Sequence, residues 1–362
     1  MPIHEASFRI GCGRYVQAPG ALLQCGEEIL RVGTIPFIIG DDTTLSLTRE
    51  RLLQGLAGKC EKYEMITYLG TCCDEAARDF AAKAHSFGCD VIVGVGGGVL
   101  MDLAKLVAHF AALPVINIPT SSATCAAYAP LSVRYTPEGR TVGSLHYARE
   151  VDAVIADTAL LAKQPIRLLL SGVFDALAKF VEIKQRYRVG EEAPLGLDYA
   201  YAMAAHSYDV LMQRTLPCIE AMQKGEITYD VEQVIFTTIA ATGTISGIAR
   251  GSNQCAIAHK FYENSRYLYF EESKSFLHGE IVGVGLLLQN YFNGEPEENA
   301  PLLSLMRAYG MPFSVRSLGI LQNAESMEGY YGRIVGSSAI DKNNAMECER
   351  FRKSLQAFWE VE

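Results

Sequence analysis

Up to about residue 160, short β-type runs alternate with amphipathic helical patterns, and this alternation restricts the fold more than any other feature of the chain. The runs are TIPFIIGDD (34–42), EMITYLG (64–70), CDVIVGVGGG (89–98) and LPVINIPT (113–120), each closed by glycine or polar turn residues. Between them, TRERLLQGLAGKCEKY and DEAARDFAAKAHSFG repeat apolar residues three and four apart, as a helix with one buried face does. Successive strand, helix and strand build a parallel sheet covered by helices, because parallel neighbours need a long crossover between them. APLSVRYTPEGRTVGSL (129–145) sets β-branched and aromatic residues around a Pro-Glu-Gly turn and reads as a hairpin, and VDAVIADTALL (151–161) adds one more strand. From about Pro165 the strand pattern stops, and stretches such as PIRLLLSGVFDALAKFVEIKQRY indicate helices. The expected organisation is an α/β N-terminal domain over residues 1–162 and an all-α C-terminal domain over 163–362.

Composition narrows the function classes. With 362 residues, 49% of them hydrophobic, the chain can bury cores for two domains. It has no apolar run of eighteen residues, and MPIHEASFRIGCGRY lacks the basic-then-apolar layout of a signal peptide, so neither a membrane span nor export is expected and the location expected is cytoplasmic. Ten cysteines without a repeated CxxC spacing are expected to be reduced, packed thiols. A net charge of −9, with no basic run to offset it, argues against a nucleic-acid partner.

Two parts of the sequence carry chemical promise. The first is GVGGGVLMDLAK (94–105), in which Gly94, Gly96, Gly97 and Gly98 join a buried strand to a helix. Backbone without Cβ atoms can approach phosphate oxygens closely, and the helix start offers free amides, which suits a pyrophosphate. Its spacing matches neither G-x-G-x-x-G nor the Walker loop, and a tight strand-to-helix turn would use the same glycines. Asp102, on the first turn of that helix, could cap amides or face a ligand.

The second comprises SGVFDALAKFVE (171–182) and CAIAHKFYENSRYLYFEESKSFLHGE (255–280). Asp175 lies in an otherwise apolar helical pattern, where a carboxylate needs a cation or strong donors. His259 follows Ala256–Ala258, and His278 precedes Gly279. One carboxylate and two imidazoles can fill three positions of a divalent metal and leave the fourth to substrate. Taken singly, each residue fits an ordinary ion pair or hydrogen bond equally well.

In this order, GVGGGVLMDLAK, PTSSATCAAYAPLSVRYTPEG, GVFDALAKFVE, AIAHKFYEN and FLHGEIVGVG resemble the iron-containing, or group III, alcohol dehydrogenase superfamily, and within it the glycerol dehydrogenase branch. The likeness runs over nearly the whole chain. It implies a Rossmann-like N-terminal domain and an all-α C-terminal domain (the dehydroquinate synthase-like fold), NAD or NADP, a divalent metal, and a homo-oligomer. The implied reaction interconverts a small polyol or 2-hydroxy acid and its carbonyl form. By motif, Gly97 and Gly98 would seat the pyrophosphate with Asp102 near the nicotinamide. Thr120, Ser121, Ser122, Leu131 and Tyr135 would line the cofactor, and Asp175, His259 and His278 would hold the metal at the catalytic centre.

Several positions refine that expectation. Relatives with a fourth ligand place a histidine four residues after the aspartate, whereas this chain has Lys179, as in the three-ligand type that typically uses zinc. Glycerol dehydrogenases usually have an aspartate that touches the polyol where Cys125 stands. A thiol is a poor acceptor for such a hydroxyl. Cys125 therefore resembles the sister hydroxycarboxylate dehydrogenases, which act on 2-oxo acids. Tyr262 replaces a second histidine, and Cys255 ranks below His259 as a ligand. Asp41, ending a strand, can accept from the adenosine ribose and repel a 2′-phosphate, which favours NAD over NADP. The rival readings are a dehydroquinate synthase-type cyclase or lyase, which only cycles its NAD, and a ligand-binding relative without activity.

Overall fold

The structure, a computed structural model, describes residues 8–190, 192–250 and 253–360. The first seven residues of the N-terminal stretch read above lie outside them. The six strands β1 (Tyr15–Ala18), β2 (Pro36–Gly40), β3 (Glu64–Thr67), β4 (Val91–Gly96), β5 (Val115–Pro119) and β8 (Ala153–Asp157) form one sheet in the order β1-β8-β5-β4-β2-β3. Every neighbouring pair is parallel. The four inner strands are buried along their whole length, as continuous apolar runs in a sheet covered on both faces should be, and the edge strands β1 and β3 are only partly buried. The hairpin β6 (Leu131–Tyr135) and β7 (Thr141–His146) stands apart as an antiparallel pair.

Helices α1 (Cys25–Leu30), α2 (Asp42–Leu56), α3 (Asp74–Phe87), α4 (Gly98–Ala111) and α5 (Thr158–Leu161) accompany these strands. Helix α2 starts earlier than its apolar spacing suggests, because the Asp41 carboxylate accepts the Thr44 amide and caps it. Chain order leads from β2 to β3 on one side and from β4 to β5 on the other, so the strand order reverses between β2 and β4. Open α/β sheets bind ligands beyond the carboxyl ends of strands at such a reversal. Asp41 follows β2 there, and Gly97 and Gly98 follow β4.

The remaining elements are helical: α6 (Ile166–Arg186), α7 (Leu197–Gln223), α8 (Tyr229–Phe236), α9 (Thr242–Ala249), α10 (Ile257–Leu268), α11 (Phe270–Ser273), α12 (His278–Asn293), α13 (Asn299–Ala308), α14 (Ala324–Ile334) and α15 (Ala345–Trp359). Two compact units result. Ser7–Pro165 joins Met212–Gly247, and Ile166–Leu211 joins Ile248–Glu362. The excursion back to the α/β unit has visible anchors. Glu232 binds the Gln17 amide at 2.5 Å and the Thr158 hydroxyl at 2.7 Å, and Phe236 meets the Tyr15 ring edge-on. In the helical unit α12 packs against α6, α10 and α15. Among the described residues no helix is long and apolar enough to cross a membrane, and all ten cysteines are free thiols.

Candidate active site

One side of α6 carries Asp175, Lys179 and Glu182, spaced four and three residues apart and therefore in line along the helix. All three are buried. Two other helices meet this row. Helix α12 begins directly against α6, because a Cβ on Gly279 would lie 1.8 Å from the Ser171 carbonyl oxygen, and the Gly279 amide donates to the Ser171 hydroxyl. His278, the residue before Gly279, is thereby held beside Asp175. Helix α10 starts at Ile257 without a capping side chain of its own. Glu182 does that work across the interface, with Oε1 accepting the amides of Ala256 at 2.6 Å and His259 at 2.9 Å.

The ligand atoms of Asp175, His259 and His278 consequently converge to within 4.8 Å of one another. Nε2 of His259 lies 3.3 Å and Nε2 of His278 lies 3.6 Å from Asp175 Oδ1. That oxygen is buried, and no donor meets it with hydrogen-bond geometry. A buried carboxylate oxygen facing two imidazole nitrogens is a donor set that fits a divalent cation. Lys179 Nζ joins the group at 3.7 Å from Asp175 Oδ1 and 3.2 Å from His259 Nε2. Burial alone would raise the Asp175 pKa, but the Lys179 ammonium and both histidines outweigh it and hold the carboxyl well below its ordinary range. Burial pushes His278 down, whereas for His259 the nearby Cys255 and Glu182 outweigh burial and push it up.

The surroundings fix both rings. Glu182 Oε2 is 2.5 Å from His259 Nδ1, so the other ring nitrogen is turned towards Asp175. The Tyr262 ring stands edge-on to His278 with centroids 4.2 Å apart, so the tyrosine packs the second histidine in place. Cys255 groups with Glu182 and His259 rather than with the convergent three.

In the α/β unit, Gly97 is the N-cap of α4 and Gly98 its first residue. The segment from Thr120 lies over this helix start. The Thr120 amide donates to the Gly96 carbonyl, a Cβ on Gly97 would come no nearer than 3.6 Å to Ser121 Oγ, and one on Gly98 would meet Thr124 Oγ1 at 3.0 Å. Ser122 is engaged elsewhere, buried against Gln164 through its amide and its hydroxyl. The carbonyl of Cys125 accepts the Tyr128 and Ala129 amides, and the Tyr135 amide at the end of β6 donates to the Cys72 carbonyl.

Asp102 differs from the sequence expectation in its position on the helix. Helix α4 starts at Gly98 and has no acidic residue in its first turn, so Asp102 does not compensate the helix dipole there. Its Oδ1 pairs with Lys105 at 2.9 Å and its Oδ2 accepts the Val133 amide at 3.0 Å. Lys105 Nζ also donates to the carbonyls of Ala126 (2.6 Å), Ala129 (2.9 Å) and Leu131. This buried pair therefore fixes the path from Ala126 to Val133, on which Leu131 stands. Glu182 and Lys105 are the residues of these two clusters for which the sequence carried no expectation. The available signals were Glu182 seven residues after Asp175 on an apolar helix, and Lys105 three after Asp102.

The chain is similar to known proteins over most of its length. The family model for iron-containing alcohol dehydrogenase matches residues 12–158. The glycerol dehydrogenase of Citrobacter freundii is 31% identical over 311 residues, covering 85% of this chain and 84% of that protein. Hydroxycarboxylate dehydrogenase A of Escherichia coli is 30% identical over 258 residues, covering 70% of each. The crystal structure of a probable glycerol dehydrogenase from Sinorhizobium meliloti 1021 superimposes with a TM-score of 0.81 at 25% identity, covering 97% of this chain and 98% of the other. The chain thus belongs to the iron-containing alcohol dehydrogenase family, in its glycerol dehydrogenase-like branch, and is an oxidoreductase acting on CH–OH groups.

Proposed function

We propose that this chain is a metal-dependent, NAD-linked dehydrogenase that interconverts a small polyol or 2-hydroxy acid and its carbonyl form. The observation that carries this reading is the convergence of Asp175, His259 and His278 around a buried carboxylate oxygen that no hydrogen bond reaches. One carboxylate and two imidazoles would supply three ligands and leave room for substrate, a donor set that favours zinc over iron. When bound, a divalent cation held by Asp175, His259 and His278 would supply Lewis-acid polarisation of the substrate oxygen, and the nicotinamide would supply the hydride acceptor.

The chain's own residues hold and orient. Glu182 sets the His259 ring, and Tyr262 wedges His278. Gly97 and Gly98 offer amides to the pyrophosphate at the start of α4, with Thr120 and Ser121 beside them, and Ser122, bound to Gln164, anchors that segment. Asp102 and Lys105 position Leu131 and, further along β6, Tyr135. Asp41, at the sheet's order reversal, disfavours a 2′-phosphate. Cys125 is assigned to the substrate pocket, and the functional form is a cytoplasmic homo-oligomer. The relatives' names supply both substrate classes, glycerol in one and hydroxycarboxylates in the other.

The test is a panel of polyols, 2-hydroxy acids and 2-oxo acids assayed with NAD(H) and NADP(H), together with elemental analysis of zinc-loaded protein. Steady nicotinamide absorbance change with NAD(H), one zinc per chain, and loss of both in Asp175→Ala are expected. No net absorbance change with any compound would transfer the chain to the NAD-cycling synthase type or to a non-catalytic role. Turnover with NADP(H) alone would overturn the reading of Asp41.

A further inference from the structure

Asn117 is a polar side chain in the middle of an apolar sheet. It lies on the inner strand β5 between Gly94 of β4 and Val154 of β8, and it is fully buried. Its neighbours Ile116 and Ile118 join the apolar core that includes Ile38, Val93 and Val95. Successive strand residues point to opposite faces, so Asn117 stands on the other face, towards α4. A Cβ on Gly94 would there lie 3.0 Å from Asn117 Oδ1 and 2.6 Å from the Ala104 Cβ. Asn117 Nδ2 donates to the Ala127 carbonyl at 2.9 Å, while the buried Oδ1 meets no donor. An amide oxygen left in this way is a cost that an apolar residue of similar size would not carry. What Asn117 contributes therefore comes through its one bond to Ala127.

That bond belongs to a series of ties along residues 120–129, which lie outside helices and strands. The Gly96 carbonyl holds the Thr120 amide, Gln164 holds Ser122, and Lys105 holds the carbonyls of Ala126 and Ala129. Thr124 falls between these ties. Its Oγ1 accepts the Ala126 amide at 3.3 Å and stands over the start of α4, where a Cβ on Gly98 would meet it at 3.0 Å. A hydroxyl that accepts from the backbone keeps its own hydrogen to donate. We propose that Asn117 is a positioning residue for the dinucleotide: by fixing Ala127 it holds the Thr124 hydroxyl over Gly98, where hydroxyl and helix amides together meet the pyrophosphate. The assignment rests on the reading above that Gly97 and Gly98 seat that group. Asn117 itself touches no ligand and acts only through the segment it holds.

The experiment titrates the zinc-loaded full-length chain with NADH, followed by nicotinamide fluorescence, in wild type and in Asn117→Leu, Asn117→Val, Asn117→Asp and Gly97→Ala. Adenosine, which carries no phosphate, is titrated as a competitor. Either apolar variant removes the donor, so NADH affinity should fall about 3- to 10-fold, as one lost hydrogen bond predicts. The adenosine constant should stay at its wild-type value and the melting temperature should not fall. In Asn117→Asp at pH 6, burial keeps the carboxyl protonated and able to donate, so NADH affinity should return to that of wild type. Wild-type NADH affinity in a folded apolar variant overturns the proposal. So does an equal loss of NADH and adenosine affinity, which would mark a general loosening, and so does an Asn117→Asp variant as weak as the apolar ones. In any of these cases a weakened Gly97→Ala leaves the pyrophosphate seat in place. If Gly97→Ala also binds NADH as wild type does, the reading of the glycine loop falls as well.

Discussion

Glu182 Oε2 lies 2.5 Å from His259 Nδ1, while the other oxygen of the same carboxylate accepts the amides that begin α10. One side chain therefore caps a helix and aims an imidazole. Glu182→Gln keeps an acceptor for the amides but removes the charge that steadies the ring. Zinc affinity should fall about 10- to 100-fold, as loss of a ligand's supporting partner does, measured by competition with a chromophoric chelator. Unchanged affinity would show that the carboxylate serves α10 alone.

Asp41 both caps α2 and stands at the sheet's order reversal, and substitutions can separate the two roles. Asp41→Asn retains an N-cap and should alter stability by no more than about 0.5 kcal/mol, whereas Asp41→Ala should cost about 1 kcal/mol. Both remove the charge, so both should raise the NADP-to-NAD ratio of kcat/KM. A ratio equal to wild type in both would leave Asp41 a cap only.

Gly97 has room for a methyl group in the protein alone, since a Cβ there would stand 3.6 Å from its nearest neighbour and φ is −83°. Gly97→Ala should therefore leave the melting temperature close to wild type while raising the KM for NAD several-fold. Equal KM values would move the pyrophosphate away from this loop.

Lys105→Met removes the partner of a buried carboxylate and the donor to three carbonyls. Breaking such a pair from one side costs about 3–5 kcal/mol. The denaturant midpoint should drop accordingly, and Asp102→Asn combined with Lys105→Met should cost less than the sum of the single changes. Strict additivity would count against a coupled pair.

Asp90 supplies an acid-sensitive contribution to stability. Burial would raise its pKa, but hydrogen bonds from the Ile35 and Thr34 amides and the Thr34 hydroxyl outweigh it and hold the carboxyl below its ordinary value. A lowered folded pKa means that the contribution is complete above the unfolded value and disappears as pH falls through the folded one. Asp90→Ala should cost about 1 kcal/mol at pH 7, given its partial exposure, and the gap to wild type should close in acid. A gap independent of pH would assign the loss to packing.

The parallel sheet was legible because its inner strands are unbroken apolar runs, and a run such as Val91–Val93 has few other uses. Strand β1, YVQA, was not legible, since four half-buried residues at a sheet edge carry neither a long run nor a clean alternation. Asp175 could be read because a carboxylate inside an apolar helical pattern demands a partner. Glu182 could not, although it lies on the same helix face, because its partners belong to a helix that begins more than seventy residues later. The pairing of Asp102 with Lys105 escaped for a related reason. A helix start is fixed by its cap, and GVGGGV does not reveal which glycine ends the strand.

The contact between Gly279 and Ser171 gives the centre the character of a gauge. The two backbones meet at Gly279, bridged only by the Ser171 hydroxyl on its amide, so the placement of His278 beside Asp175 follows a main-chain contact. The three side chains are then brought together by folding itself. Residue 279 accordingly ties helix spacing to the spacing of the two side chains: any larger residue there would have to part α12 from α6, and His278 from Asp175 with it.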